Sequence, residues 1–365
     1  MSDHKILQYP KSPYLKTSYY EDTAIQAFDT PFRKKCLVIG LLFWVCFPFV
    51  ASSYVVHIAN LSAIAAIGAM SLNLLIGNTG LLSLGHAGFM GAGAFTTAIM
   101  TVQFGLPIWI VIPASGIVGA LLGLIAGLPS FQLKGIYLGL STLAIHHIIK
   151  YGCSEYQYYG GFGYGIVLEA PSLGPLLLAG KTVWFFVLWI SAFATALLIA
   201  NLLRSKPGRA WSAIRDRDIA AEVSGIDIGF YKILAFVVSS SLISMQGSLY
   251  AYYTAVVSVE EYSFGLTVSY LAMIIVGGLG SVLGSFLGAL LITALPYALI
   301  ILAGLVDLSF AVKEHFSVIQ TGVFGMVVIL FLLLEPLGLV EIWRRVRCYF
   351  ELWPFSYKPL TIIKR

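Results

Sequence analysis

Arg204, Lys206, Arg209, Arg215, Arg217 and Lys232 alternate with Asp216, Asp218, Glu222 and Asp227 in one short stretch of a 365-residue chain that is otherwise poor in charge. Mixed signs suit docking to a charged protein surface, since topology alone would need only Lys and Arg. Apolar residues run between the charges (Trp211, Ile214, Ile219, Val223, Ile226), which a merely solvated loop does not need. Pro207 reads as a helix start and Gly225 as a stop, so the stretch predicts a short amphipathic helix pair. In it Ala210, Ile214 and Ala221 share one face, and Arg215, Asp218 and Glu222 share another.

A second group mixes polar side chains with glycine. Asn73, Asn78, Ser83 and His86 lie in or just before a stretch holding Gly77, Gly80, Gly85, Gly88, Gly91 and Gly93. Broken helices at membrane depth are tolerated where they line a cavity. The expectation is that these four polar residues line a translocation path, with close structural packing as the rival reading. Gly119, Gly123 and Gly127, and Gly280, Gly284 and Gly288, form small-xxx-small steps that let helix backbones approach closely in lipid. Both sets are expected to pack helices. His146 and His147 read as helix–helix hydrogen-bonding or interfacial residues.

Catalysis and nucleotide binding find no support. Gly174 to Thr182 (GPLLLAGKT) has five residues between its glycines, where a phosphate-binding loop needs four. The Gly160 to Gly165 cluster follows no strand and opens no amphipathic helix. Cys36, Cys46, Cys153 and Cys348 show no paired spacing, so neither a disulfide framework nor a metal site is expected. No bound cofactor, metal or catalytic group is expected.

The elements that must position these residues are helices in lipid. The chain is 59% hydrophobic and 11% charged, where a soluble domain carries about 25% charged residues. A spanning helix needs roughly 20 mainly apolar residues. Such runs fall at about 36–56, 58–77, 84–104, 107–128, 134–150, 182–203, 232–256, 266–284, 285–304 and 317–335. A β-barrel would need alternation, but Leu37 to Val50 and Val323 to Leu334 are continuously apolar. The predicted fold is therefore all-α: a polytopic helix bundle of about ten spans (eight to ten), some short or broken.

Arg33, Lys34 and Lys35 flank the first run, and Arg344, Arg345 and Arg347 follow the last. The positive-inside rule puts both termini and the 204–232 loop in the cytoplasm, with six spans before the loop and four after it. The expected organisation is a cytoplasmic segment 1–35, a transmembrane domain 36–335 and a cytoplasmic tail 336–365. No cleavable signal peptide opens the chain, so the first span is expected to direct insertion. Residues 151–181, rich in Gly and Pro, predict an irregular external loop. The net charge of +5 is explained by topology, and nucleic acid is not an expected partner. Acidic residues are almost absent from the spans, which argues against an ion-coupled carrier.

The loop then becomes specific. Gly-Arg-Ala at 208–210, Ala-Ile-Arg-Asp at 213–216, Ala-Ala-Glu at 220–222, Gly-Ile at 225–226 and Tyr-Lys at 231–232 resemble the M-type permease of branched-chain amino acid ABC importers. Asn73 to Gly93 is similar to that family's early glycine-rich segment, and Ile275 to Ala289 to its late one. The resemblance runs in order from about residue 60 to 335. It implies a permease in the bacterial inner membrane, driven by a separate ATPase. Arg209, Arg215, Asp216, Glu222 and Gly225 would lie in the element that contacts that ATPase. It also implies a second, H-type permease subunit, ATPase subunits and a periplasmic or lipid-anchored solute-binding protein. Branched-chain amino acids are the implied solute. Urea and short amides, or a carrier or channel acting alone, are the alternatives.

Overall fold

The structure, a computed structural model, describes residues 44–169, 171–173, 176–177, 180–305, 338–352 and parts of 322–333. Two compact units divide at Ser53. In the first, the described residues 44–50 are helical. The segment 1–35 and residues 36–43 of the expected first span lie outside the described residues, and the last span at 317–335 is described only in part.

The second unit is a helix bundle. α1 (Ser53–Asn73) continues through a wider turn at Leu74–Asn78, and α2 is His86–Val102. They are followed by α3 (Ile108–Gly127), α4 (Ile136–Tyr159), α5 (Lys181–Arg204), α6 (Lys206–Asp216) and α7 (Asp218–Val223). Then come α8 (Ile228–Thr254), α9 (Phe264–Gly277), α10 (Val282–Leu305) and α11 (Leu339–Leu352). Six segments among the described residues are long and apolar enough to cross a membrane: Ser53–Asn78, Ile108–Phe131, Lys181–Arg204, Ile228–Thr254, Val259–Gly277 and Val282–Ile301. Large apolar side chains face outward on α3 (Trp109, Ile117, Leu121), α5 (Ile190, Leu197) and α10 (Ile300, Ile301). In water such an apolar exterior would be a liability, and in lipid it is required.

α8 is the centre of the unit. α3 lies on it through glycine: a Cβ on Gly119 or Gly123 would overlap the hydroxyl of Ser244 or Ser240. α2 lies on α8 in the same way. A Cβ on Gly93 would overlap Ser244 O, and one on Gly247 would overlap Met90 O. The bundle core is thus built from small residues and short polar ones, as expected where packing rather than hydrophobicity holds helices together. The seventeen-residue α2 is enclosed along most of its length, with His86 to Phe95 all buried.

The late glycine stripe differs from the expectation. Gly284 and Gly288 do pack closely, but their partners are Gly277 and Met273 O of α9. Gly280 lies off that face, in the turn before α10, with φ +78°. The described residues within 151–181 hold more regular structure than the irregular loop predicted. α4 runs on to Tyr159, and β1 (Ile166–Val167) pairs antiparallel with β4 (Val256–Val257). β2 (Ser172–Leu173) and β3 (Leu176–Leu177) form a second antiparallel pair.

Candidate functional site

Two features sit at opposite ends of the bundle. At one end, α6 and α7 form the helix pair that Pro207 and Gly225 predict. Pro207 occupies the first turn of α6, and Gly225 follows α7 at φ +81°. The backbone is extended at Arg217, so the pair bends there. The single continuous face expected from Arg215 to Glu222 is divided between the two helices. Trp211 is fully buried and donates its indole N–H to Tyr231 O at 2.8 Å, which seats α6 on the start of α8. Asp218 takes Lys134 at 2.8 Å and Lys232 at 3.4 Å, which ties α7 to the α3–α4 turn and to α8. Burial would raise the Asp218 carboxyl, but the Lys134 hydrogen bond and the charges of Lys232 and Lys134 outweigh it and hold the group below the ordinary carboxylate range.

The opposite face of the pair is open. Ile219 and Val223 are 77% and 85% exposed. A shallow groove of about 390 Å³ lies beside them, lined by Ala213, Asp216, Arg217, Ala220, Ala221 and Ser224. Glu222 and Arg209 are exposed, and Arg209 donates to Arg204 O.

Arg215, itself exposed, also lies against the bundle. A Cβ on Gly80 would lie 3.6 Å from its Cγ, and one on Gly280 would lie 2.9 Å from its Nη1. Both glycines have positive φ, +74° and +78°. One follows the end of α1 and the other precedes α10, so a single side chain from the loop covers both chain reversals. Beneath it Asn73 joins the same two elements. Its amide nitrogen donates to Ser281 O (2.9 Å) and Ser285 Oγ (2.6 Å), and its oxygen accepts from Gly280 N (2.8 Å). Asn78 donates back to Asn73 O at 3.3 Å. One layer deeper, the His86 ring is bracketed by Ser83 Oγ (3.0 Å) and Ser239 Oγ (2.9 Å), and Ser239 donates to Ser71 O. Asn73, Ser83 and His86 are buried and hydrogen-bonded to the protein.

At the far end a cleft of about 410 Å³ opens between α1, α2, α8, α9 and α10. Gln246 and Tyr270 lie in its wall and Glu261 at its exposed side. The Gln246 amide donates to Tyr270 OH at 2.5 Å, and Tyr270 OH lies 3.3 Å from Met90 Sδ. Asn73, Asn78, Ser83 and His86 are not among the residues lining this cleft.

The family model described as branched-chain amino acid transport system / permease component matches residues 54–332. The chain belongs to that family. Across 86% of its length this permease is 28% identical to the high-affinity branched-chain amino acid transport system permease protein LivM of Escherichia coli (strain K12), 76% of which is covered. It is 28% identical to the probable branched-chain amino acid transport permease protein LivM of Methanocaldococcus jannaschii, over 66% of this chain and 69% of that one. The ribose import permease protein RbsC of Haemophilus influenzae is likewise 28% identical, over 66% of this chain and 74% of its own. No solved structure matches the chain.

Sequence reasoning passed over the polar stripe of this permease's α8. Ser239, Ser240, Ser244, Gln246 and Ser248 are all fully enclosed; Ser244 and Ser248 bond α2, Ser239 bonds Ser71 O of α1, and Gln246 bonds Tyr270 of α9. The signal was available: six polar residues and a glycine within ten positions of an otherwise apolar span. Polar side chains at that depth face the bundle interior rather than lipid.

Proposed function

We propose that this permease forms part of the path by which an ABC importer carries branched-chain amino acids across the bacterial inner membrane. A separate ATPase supplies the energy. In this reading the open face of α6 and α7, with Arg209, Asp216, Glu222, Gly225 and the exposed Ile219 and Val223, docks to that ATPase. Asn73, Asn78, Ser83 and His86 form the tightly bonded part of the path that must loosen when solute passes. A second permease subunit and a solute-binding protein complete the importer. Ten spans with both termini in the cytoplasm, six of them before the docking pair, fit the alternating direction of the bundle helices.

One observation supports this reading most: Arg215, carried by the docking pair, rests on both Gly80 and Gly280. A displacement of α6 by a partner would be felt at once by the two chain reversals that close this end of the bundle. A stand-alone carrier would have no use for a lever that reaches from an exposed apolar face to the helix ends.

Replacing Arg215 or Glu222 by Ala tests the reading. Each variant should insert normally and keep ATP hydrolysis by the assembled importer. Uptake of radiolabelled L-leucine per ATP hydrolysed should fall by about tenfold or more, matching a coupling free energy of about 1.4 kcal/mol or greater. Unchanged coupling in both variants would remove the docking role.

A further inference from the structure

Gln246 lies at the middle of the outer half of α8 and is completely buried, yet its Oε1 has no hydrogen-bond partner. The Tyr270 hydroxyl donates to Met90 Sδ at 3.3 Å. The phenol oxygen then accepts from Gln246 Nε2, which leaves Oε1 as the free atom. A buried acceptor without a donor costs about 1–3 kcal/mol. Nothing in the fold has to leave it so. Gly68 of α1 lets Oε1 and the Tyr270 ring approach the α1 backbone closely, since a Cβ there would lie 2.6 Å from Oε1.

The rest of the cleft is biased the same way. Thr293 Oγ1, also in the cleft wall, is buried and unpartnered. Pro296 interrupts α10. It has no N–H to give the carbonyl four residues back, and that carbonyl belongs to Ile292, another wall residue. Among the described residues Glu261 is the charged one in the lining. Those residues therefore offer acceptors and one negative charge, beside hydroxyls that can donate or accept. The remaining wall is apolar, with Leu61, Ile64, Met273 and Ile300 among its residues. A buried acceptor array beside a carboxylate suits a primary ammonium, which brings three donors and a positive charge. An apolar wall suits an aliphatic body.

We propose that this cleft is a solute-contact site within the permease itself, at which Gln246, Thr293 and Glu261 receive the ammonium group of an amino acid whose aliphatic side chain lies against α1 and α9–α10. The inference rests on the transport reading above and adds to it. The permease selects for an amino group on its own account, and not solely through a solute-binding protein that delivers the cargo.

The test uses full-length chain purified with its co-purifying subunits in lipid nanodiscs, without the binding protein. The probe is the diazirine analogue of L-leucine, photolysed in place, with labelled peptides located by mass spectrometry. Labelling is expected within α8, α9 and α10 at the cleft residues. Excess L-leucine and L-leucinol, which both carry the ammonium, should compete. 4-Methylpentanoate, which has the same aliphatic body and no ammonium, should not. Gln246→Leu should reduce labelling by about tenfold, the effect of one hydrogen bond to a charged group. Gln246→Glu keeps an acceptor and should label within about threefold of the unaltered chain. Where Gln246→Leu does not fold, the competition series on the unaltered chain decides. Labelling outside the cleft, or equal competition by 4-methylpentanoate, overturns the site. L-Leucine uptake by the same subunits in cells is read separately. Uptake with labelling elsewhere overturns the site and leaves the transport reading standing. Labelling at the cleft without uptake overturns the transport reading and leaves the site.

Discussion

Individual residues in this bundle are chosen for what they lack as much as for what they carry. Gly123 is the clearest case, because a Cβ there would overlap Ser240 Oγ and approach Phe236 O to 2.9 Å. The backbone of α8 stands directly behind the serine, so neither partner can move aside cheaply. Gly123→Ala should therefore destabilise the protein by about 1–3 kcal/mol, the usual effect of overpacking a filled interior. Thermal unfolding in detergent, followed by size-exclusion fluorescence, measures it. Ser240→Ala added to Gly123→Ala should restore only part of the loss, since Ser240 Cβ would still lie 2.8 Å away. Gly163→Ala, with nothing within 4 Å, should change nothing and serves as the control. The glycine spacing at 119–127 was legible in the sequence, because a repeat of four on one helix is a local pattern. The serines it meets were not. They sit more than a hundred positions away, and a serine in an apolar span carries no mark of which helix it faces.

At the scale of elements, α7 is a six-residue helix that cannot hold its own conformation. Its place depends on Asp218, which is gripped by Lys134 and Lys232. The Asp218 carboxyl is held below its ordinary value of 3.8, so its contribution is fully present above that pH and disappears as pH falls through the lower, folded value. Lys134 is raised above its ordinary 10.5 by the same contact, so its side of the pair is lost only at strongly basic pH. Between these limits the anchor is constant. Because Lys134 is largely exposed, the anchor contributes no more than about 1 kcal/mol. Asp218→Asn should lower thermal stability slightly at pH 7, and the difference from the unaltered protein should shrink as pH falls below 3.8. A difference that does not shrink as the pH is lowered would mean the carboxylate charge is not what holds α7. The sequence disclosed the helix pair through Pro207 and Gly225 but hid the bend at Arg217, because Arg215 to Asp218 reads equally well as continuous helix. It likewise hid the pairing of β1 with β4. Two-residue strands nearly ninety positions apart carry no periodicity from which a register could be read.

The helix bundle of the second unit has a closed end and an open one, and the direction of its helices links them. α1 runs from the cleft to the Gly80 reversal and α10 from the Gly280 reversal back to the cleft, so both elements beneath Arg215 also form cleft wall. A bundle of this kind transmits motion along rigid helices, and the two sites need no contact of their own. Coupling to ATP hydrolysis requires that the α6–α7 end face the cytoplasm, where ATP is, and that the strand-bearing end face outward. Charge supports that direction: Arg204, Lys206, Arg209, Arg215 and Arg217 gather at the first end, as cytoplasmic loops do. Single cysteines decide it. In a chain whose native cysteines are replaced by serine, Ser224→Cys should react with a membrane-impermeant maleimide only in inside-out vesicles. Gly163→Cys, in open space beyond α4, should react only from the outside of intact cells. The two labelling patterns should be complementary and each nearly complete, because an odd error in the number of spans between them would place both cysteines on one side. Reaction of Ser224→Cys from outside would turn the lever away from any ATP-hydrolysing subunit, and the coupling proposed for Arg215 would have nothing to act on it.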